Sequence, residues 1–343
     1  MSHATKRLIR WAGLAAALSA CATTGDGGGG RVETAAPAAD PPLRPGAPLL
    51  LLAMPPAADF QDVRRTLLTE VKKDFNISTF TVTAATTPTD LAQAIARTSP
   101  TCLVLMNNAT VALYRDYQSV HHEEKMPPAV VVMTSFLEEL RGNLRNATGI
   151  AYEVPGITAF VNLRSVIRAP VKRVGVVYRP RFRAVIERQK KLAAREQIDL
   201  VGAEVGKEVD AQSLRAALHG LLVKDKVDAL WMLNDNELIK NGQFLDETWR
   251  AELAGARIPL VVGVPNLVDP RTPTGSFAVV PDHEALGLQT ANLIFDLGES
   301  DWRADEHDVE LPLSVKTVAD LKQLRDTFGL KEDALRHIDR ALE

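Results

Sequence analysis

Cysteine is scarce. The chain has two in 343 residues, Cys21 and Cys102, too few for a disulfide framework, and no Cys/His cluster has the spacing of a zinc site. No apolar run reaches the roughly 20 residues that a bilayer-spanning helix needs. An excess of one charge is missing too: 40 basic residues stand against 43 acidic ones, for a net −3. No global field therefore draws nucleic acid or coats an anionic membrane. A G-x-S-x-G elbow, a P-loop, an H-E-x-x-H pair and a paired-carboxylate motif are all absent, which disfavours an enzyme. What is present is an ordinary globular composition, 46% hydrophobic and 24% charged, long enough for one large or two medium domains.

The N-terminus carries an address. Lys6, Arg7 and Arg10 precede the apolar run Trp11 to Leu18, the pattern of an export signal. It ends in Leu18-Ser19-Ala20-Cys21, which resembles the bacterial lipoprotein box; a plain signal peptide with a chance cysteine is the alternative. The resemblance implies that residues 1–20 are removed and that Cys21 is lipidated. Losing three basic residues and no acidic one takes the net charge from −3 to −6. Each buried acyl CH₂ adds roughly 0.8 kcal/mol, so several chains make a stable anchor. Ala22, where an aspartate commonly retains such lipoproteins at the inner membrane, favours the outer membrane. Residues 21–46 are rich in Gly, Pro and Ala and read as a flexible tether spanning about 25–30 Å. The G-x-G-x-x-G match within it lacks a preceding strand and a following helix, so it is no dinucleotide site.

From residue 48 short apolar runs alternate with amphipathic stretches. Strands are expected at 49–54, 78–84, 102–106 and 129–133, with a helix over 59–75 and another over 90–96 capped by Thr89. The cycle then repeats: helix 157–167, strand 172–178, helix 182–196, strand 200–205, helix 211–222, strand 229–233, helix 244–253 and strand 259–263. Strand 276–280, helix 284–297 and two amphipathic helices near 317–327 and 332–342 follow. Continuous apolar strands joined by helices imply parallel sheets covered on both faces. The fold class is α/β, with two Rossmann-like lobes joined by a hinge. The first lobe is expected over 47–150 plus about 281–304, the second over 151–280 plus about 305–343. Ligands of such sheets bind beyond the carboxyl ends of the strands, and lobe interfaces favour pockets.

Four segments carry a family resemblance: Asn146-Ala147-Thr148-Gly149-Ile150, Val171 to Tyr178, Val227-Asp228-Ala229-Leu230 with Asp235-Asn236, and Asp282 to Gly287. In order and spacing they resemble lipoprotein substrate-binding proteins of ABC transporters, of the tryptophan/tyrosine-uptake type. That resemblance implies a type I periplasmic-binding-protein fold, a small amino-acid-like ligand between the lobes and an ABC permease as partner. By the same comparison Asp235 would bind an ammonium, Asn236 would offer an amide, and Asp282 would serve the ligand or the hinge. Alternatively Asp235 and Asn236 only start a helix.

The departures bear on ligand chemistry. Arg179-Pro180-Arg181-Phe182-Arg183 stands where the family has small polar residues. Arg179 and Arg181 at a strand-to-helix turn would favour an anionic ligand, or else form a solvated basic surface. Asn107, Asn108, Thr134 and Ser135 replace other turns of the first lobe and would meet the ligand from that side. His121-His122 and Asp305 to Asp308 are read as solvated rather than metal-binding, and no cofactor is expected. Trp231 and Phe277 are expected in the core, Trp249 and Trp302 partly exposed. Two further readings remain open: a ligand-free interaction module on the same fold, and a sensor feeding a signalling complex.

Overall fold

The strongest strand signals form one sheet. In a computed structural model that describes residues 39–122, 125–271 and 274–343, the apolar run Leu49–Met54 becomes β1, an inner strand of a five-stranded parallel sheet. The expected signal peptide, Cys21 and the tether up to residue 38 lie outside the described residues. The other strands are β2 (Asn76–Thr81), β3 (Cys102–Met106), β4 (Ala129–Thr134) and β5 (Ala147–Ala151), in the order β2-β1-β3-β4-β5. Helices α1 (Ala58–Val71), α2 (Pro88–Thr98), α3 (Asn108–Val120) and α4 (Leu137–Arg141) connect them. Helix α2 begins two residues before the expected Asp90. Its cap is Thr87 rather than Thr89, because Asp90 returns the hydrogen bond and Pro88 fits the first turn.

The second sheet has seven strands. The chain runs through α5 (Gly156–Val166), β6 (Arg173–Tyr178), α6 (Arg183–Arg195), β7 (Asp199–Glu204), α7 (Ala211–His219) and β8 (Ala229–Trp231). Short helices α8 (Asn236–Ile239), α9 (Gly242–Leu245) and α10 (Ala251–Leu253) precede β9 (Leu260–Val262) and β10 (Phe277–Pro281). Helix α11 (His283–Glu299) follows, then β11 (Val315–Asp320), α12 (Leu321–Gln323) and β12 (Arg340–Leu342). The strand order is β12-β11-β10-β9-β8-β6-β7, and only the β10–β11 pairing is antiparallel.

The tail matches the two expected amphipathic helices only in part: residues 321–328 are helical, but 317–320 and most of 332–342 are not. Residues 315–320 pair with β10, and 340–342 extend the sheet beyond β11. The Thr317 amide donates to Asp339 Oδ2 at 2.7 Å, and the Asp339 amide donates back to Thr317 Oγ1 at 2.9 Å. β-Branched Val315, Thr317 and Val318 favour the pleated edge over a helix. Trp249 is also deeper than expected: it is fully buried, and its indole N–H donates to the Leu238 carbonyl at 2.8 Å. Phe277 lies in the core, whereas Trp231 is only partly buried.

The chain passes between the two sheets three times: after β5, between β10 and α11, and through 310–314 before β11. Helix α11 returns to cover the first sheet beside α1, burying Leu286, Ile294 and Leu297 against Leu50, Leu52 and Leu67. Gly287 permits that approach, since a Cβ there would lie 2.6 Å from the Val63 carbonyl oxygen. Gly149 is more constrained still, with a Cβ falling 2.0 Å from the carbonyl oxygen of Val131 on β4. The third pass is tied to β5 by the Ala151 amide donating to the Glu310 carbonyl at 2.9 Å.

Candidate functional site

At the end of β4 the backbone leaves the sheet under strain: Met133 within the strand and Phe136 after it adopt positive φ values of 54° and 58°, and the β4–β5 register shifts between Val131 and Thr134. The turn delivers Phe136 and helix α4 to a cavity of about 270 Å³ at the junction of the two lobes. The first crossing, Tyr152 to Pro155, forms one side. The second lobe contributes Val185, Arg188 and Gln189 from α6, Trp231 to Asn234 at the end of β8, and Gly263 after β9. Trp231 meets Phe160 edge-on at 5.6 Å, and Gly156 leaves room for it, because a Cβ there would lie 3.1 Å from the indole.

Two contacts join the lobes beside the cavity. The Phe136 and Phe182 rings lie 4.2 Å apart. Arg188 Nη2 on α6 reaches Glu138 Oε2 at 2.8 Å and Glu139 Oε1 at 3.2 Å on α4. Glu153 sits in the crossing itself, where its Oε1 accepts the Phe136 amide at 2.7 Å. Burial pushes this carboxyl up to about 7; the Phe136 N–H opposes the rise and the neighbouring Glu139 charge adds to it.

The nine residues expected to hold ligand lie outside the cavity lining. Asp235 is 4% exposed and accepts Arg179 Nε and Nη2, both at 2.6 Å, while receiving the Glu237 amide at the start of α8. Arg179 also donates to the Lys207 carbonyl at 3.1 Å. Each residue thus satisfies the other, so the geometry provides neither the expected ammonium site nor a guanidinium facing the cavity. Asn236 is exposed as the first residue of α8, and Arg181 is exposed over the Phe182 ring at 4.8 Å. Asp282 caps α11 and pairs with Lys316 at 3.0 Å, at the second crossing.

The polar turns of the first lobe brace one another instead. Asn107 caps α3 through the Thr110 amide at 3.0 Å. Asn108 donates to the Ser135 carbonyl at 2.9 Å and accepts the Ser135 amide at 3.0 Å. Thr134 is fully buried. The structure therefore brings Arg179 to Asp235 and Asn108 to Ser135, and the cavity is lined by their neighbours Phe136 and Asn234. Glu153, Arg188 and Trp231 went unrecognised in the sequence. A lone carboxylate between Tyr152 and Val154-Pro155, directly after an apolar strand, was the available signal.

Cys102 is buried, and burial pushes its thiol up to about 12, so it is unreactive. Asp59, Asp62 and His283 bring ligand atoms within 4.8 Å of one another. Asp62 pairs with Arg65 at 2.9 Å, and the His283 ring meets the hydroxyl of the cavity-lining Tyr152 at 3.0 Å. Among the described residues no helix is long and apolar enough to cross a membrane.

Comparison with known proteins adds a family. A family described as "ABC transporter substrate binding protein" matches residues 71–301. No curated protein sequence matches the chain. A ligand-free, open substrate-binding protein with adhesive properties from Clostridium difficile has a similar fold, with a TM-score of 0.63 at 12% identity. The similarity covers 87% of this chain and 99% of that one. An ABC domain from Streptococcus pneumonia in complex with L-Trp gives 0.54 at 15% identity, over 86% and 99% of the two chains. A conserved domain protein from Vibrio cholerae gives 0.54 at 19% identity over the same shares.

Proposed function

The chain belongs to the ABC transporter substrate-binding protein family, and on that premise we propose that it is a lipid-anchored envelope receptor whose lobes close over one small molecule. The family binds solutes and catalyses no reaction, in keeping with the unreactive Cys102. The observation that carries the reading is the cavity wall, assembled from the α4 turn, the first crossing and the strand ends of the second lobe. A wall divided in this way opens and closes with the hinge, so ligand binding and closure are one equilibrium. The closed form would then be presented to an ABC permease or another envelope protein. No nucleic acid takes part.

Calorimetric titration with amino acids, amines, nucleosides, sugars and organic acids, paired with small-angle scattering, tests the reading. Binding accompanied by a smaller radius of gyration supports it; heat without compaction, or no response, refutes it. Lipidation of Cys21 and residence at the outer membrane are part of the same proposal. Cys21→Ser should release the protein into the soluble periplasmic fraction, and unchanged sedimentation with membranes would refute the anchor.

One observation favours a second reading, a ligand-free interaction module. The Arg188 ion pairs and the Phe136–Phe182 contact bridge the lobes through the protein's own side chains. Crosslinking to an envelope protein, with no titratable ligand, would select that reading.

A further inference from the structure

From the charges at the cavity we infer that the ligand is a primary or secondary amine on an apolar, aromatic-sized body, without a carboxylate, held by Glu153. This inference rests on the receptor reading above and narrows it. The cavity is lined by three carboxylates, Glu138, Glu139 and Glu153, against one guanidinium, Arg188. That guanidinium is already shared between Glu138 and Glu139. Glu153 has no ion pair among the described residues, and its Oε1 accepts the Phe136 amide. The two arginines that could have met an anion are turned elsewhere: Arg179 is bound by Asp235, and Arg181 covers Phe182 outside the cavity.

The remaining wall is apolar, chiefly Phe136, Tyr152, Val185, Trp231 and Met232. A closed cavity of this make-up leaves a negative charge uncompensated, and a ligand ammonium beside Glu153 offsets it. A ligand carboxylate would instead face three like charges with no free cation to receive it. Asn234, whose amide makes only a long 3.5 Å contact with the Gly263 carbonyl, is available to a further polar atom of the ligand. About 270 Å³ suits one ring system with a short side chain.

Two matched sets test the inference on the whole folded chain by calorimetry at pH 8: 2-phenylethylamine, phenylalanine and 3-phenylpropanoate, and tryptamine, tryptophan and indole-3-propanoate. The amine of at least one set should bind about tenfold or more tightly than its zwitterion and its acid, as expected for one desolvated charge pair. Glu153→Gln should abolish that preference, while Trp231→Ala weakens every member of the set. Tighter binding of a zwitterion or acid, still lost on Trp231→Ala, overturns the amine assignment and leaves the receptor reading standing. An amine preference that survives Glu153→Gln overturns the role of Glu153. No binding by any of the six, with no compaction in scattering, overturns both the assignment and the receptor reading.

Discussion

Replacing Glu153 by glutamine isolates what a lone carboxylate does in the first crossing. The glutamine side-chain oxygen still accepts the Phe136 amide, so the loop keeps its hydrogen bond while the ionisation disappears. In the folded protein burial pushes the carboxyl from 4.5 to about 7. The folded state therefore holds a proton that the unfolded chain has released, and stability falls as pH rises from 4.5 through 7. At about 1.4 kcal/mol per pH unit the full effect is about 3 kcal/mol above pH 8. Glu153 lines a cavity that is partly open to the surface, and solvent screening there reduces the effect to about 1–2 kcal/mol. Glu138, Glu139, Arg188 and Tyr152 surround the same cavity and are unchanged in the variant. Ligand-free Glu153→Gln should melt about 1–3 °C above the parent at pH 8.5 and within half a degree or so of it at pH 4.5. Circular dichroism melts at the two pH values check this. A variant that melts lower at pH 8.5, or gains equally at both, refutes the argument.

The Arg179–Asp235 pair is bidentate, with Asp235 buried and Arg179 partly so, so Arg179→Ala or Asp235→Ala should each cost about 2–4 kcal/mol in urea unfolding, and the double variant less than their sum. Unchanged stability with lost ligand affinity would instead return Asp235 to ligand binding. Gly149→Ala places a Cβ 2.0 Å from the Val131 carbonyl oxygen and should lower stability by at least about 1–3 kcal/mol through overpacking; a neutral result in the same assay refutes the close approach. Arg188 is half exposed and bonded to Glu138 and Glu139, so Arg188→Ala should change stability by under about 1 kcal/mol. The ligand-free radius of gyration should nevertheless rise, and an unchanged value denies the bridge any hold on the lobes.

The central strands were legible because continuous apolar runs such as Leu49–Met54 and Ala129–Thr134 have no other home than a covered parallel sheet. The tail was legible only in part: the helical pattern survives at 321–328, while 317–320 went to the sheet through long-range pairing between Thr317 and Asp339. The site was legible in region but not in residue. Strand-end loops do line the candidate cavity, yet a one-residue shift decides which side chain reaches it: Asn234 does and Asp235 is turned to Arg179. Trp231 sits in an apolar run and reads as core, although its edge reaches the cavity. Arg188 and Gln189 are brought there by the docking of α6, which sequence spacing does not encode.

Helix α11 sets an order on assembly. The first sheet is complete in sequence at Ala151, but the helix that shields the α1 side of it does not arrive until His283–Glu299. A chain emerging N-terminus first thus keeps Leu50, Leu52 and Leu67 uncovered until residues 152–282 have followed. The first lobe cannot mature ahead of the second, and a product truncated before residue 283 would carry an open apolar flank exposed to chaperones and proteases.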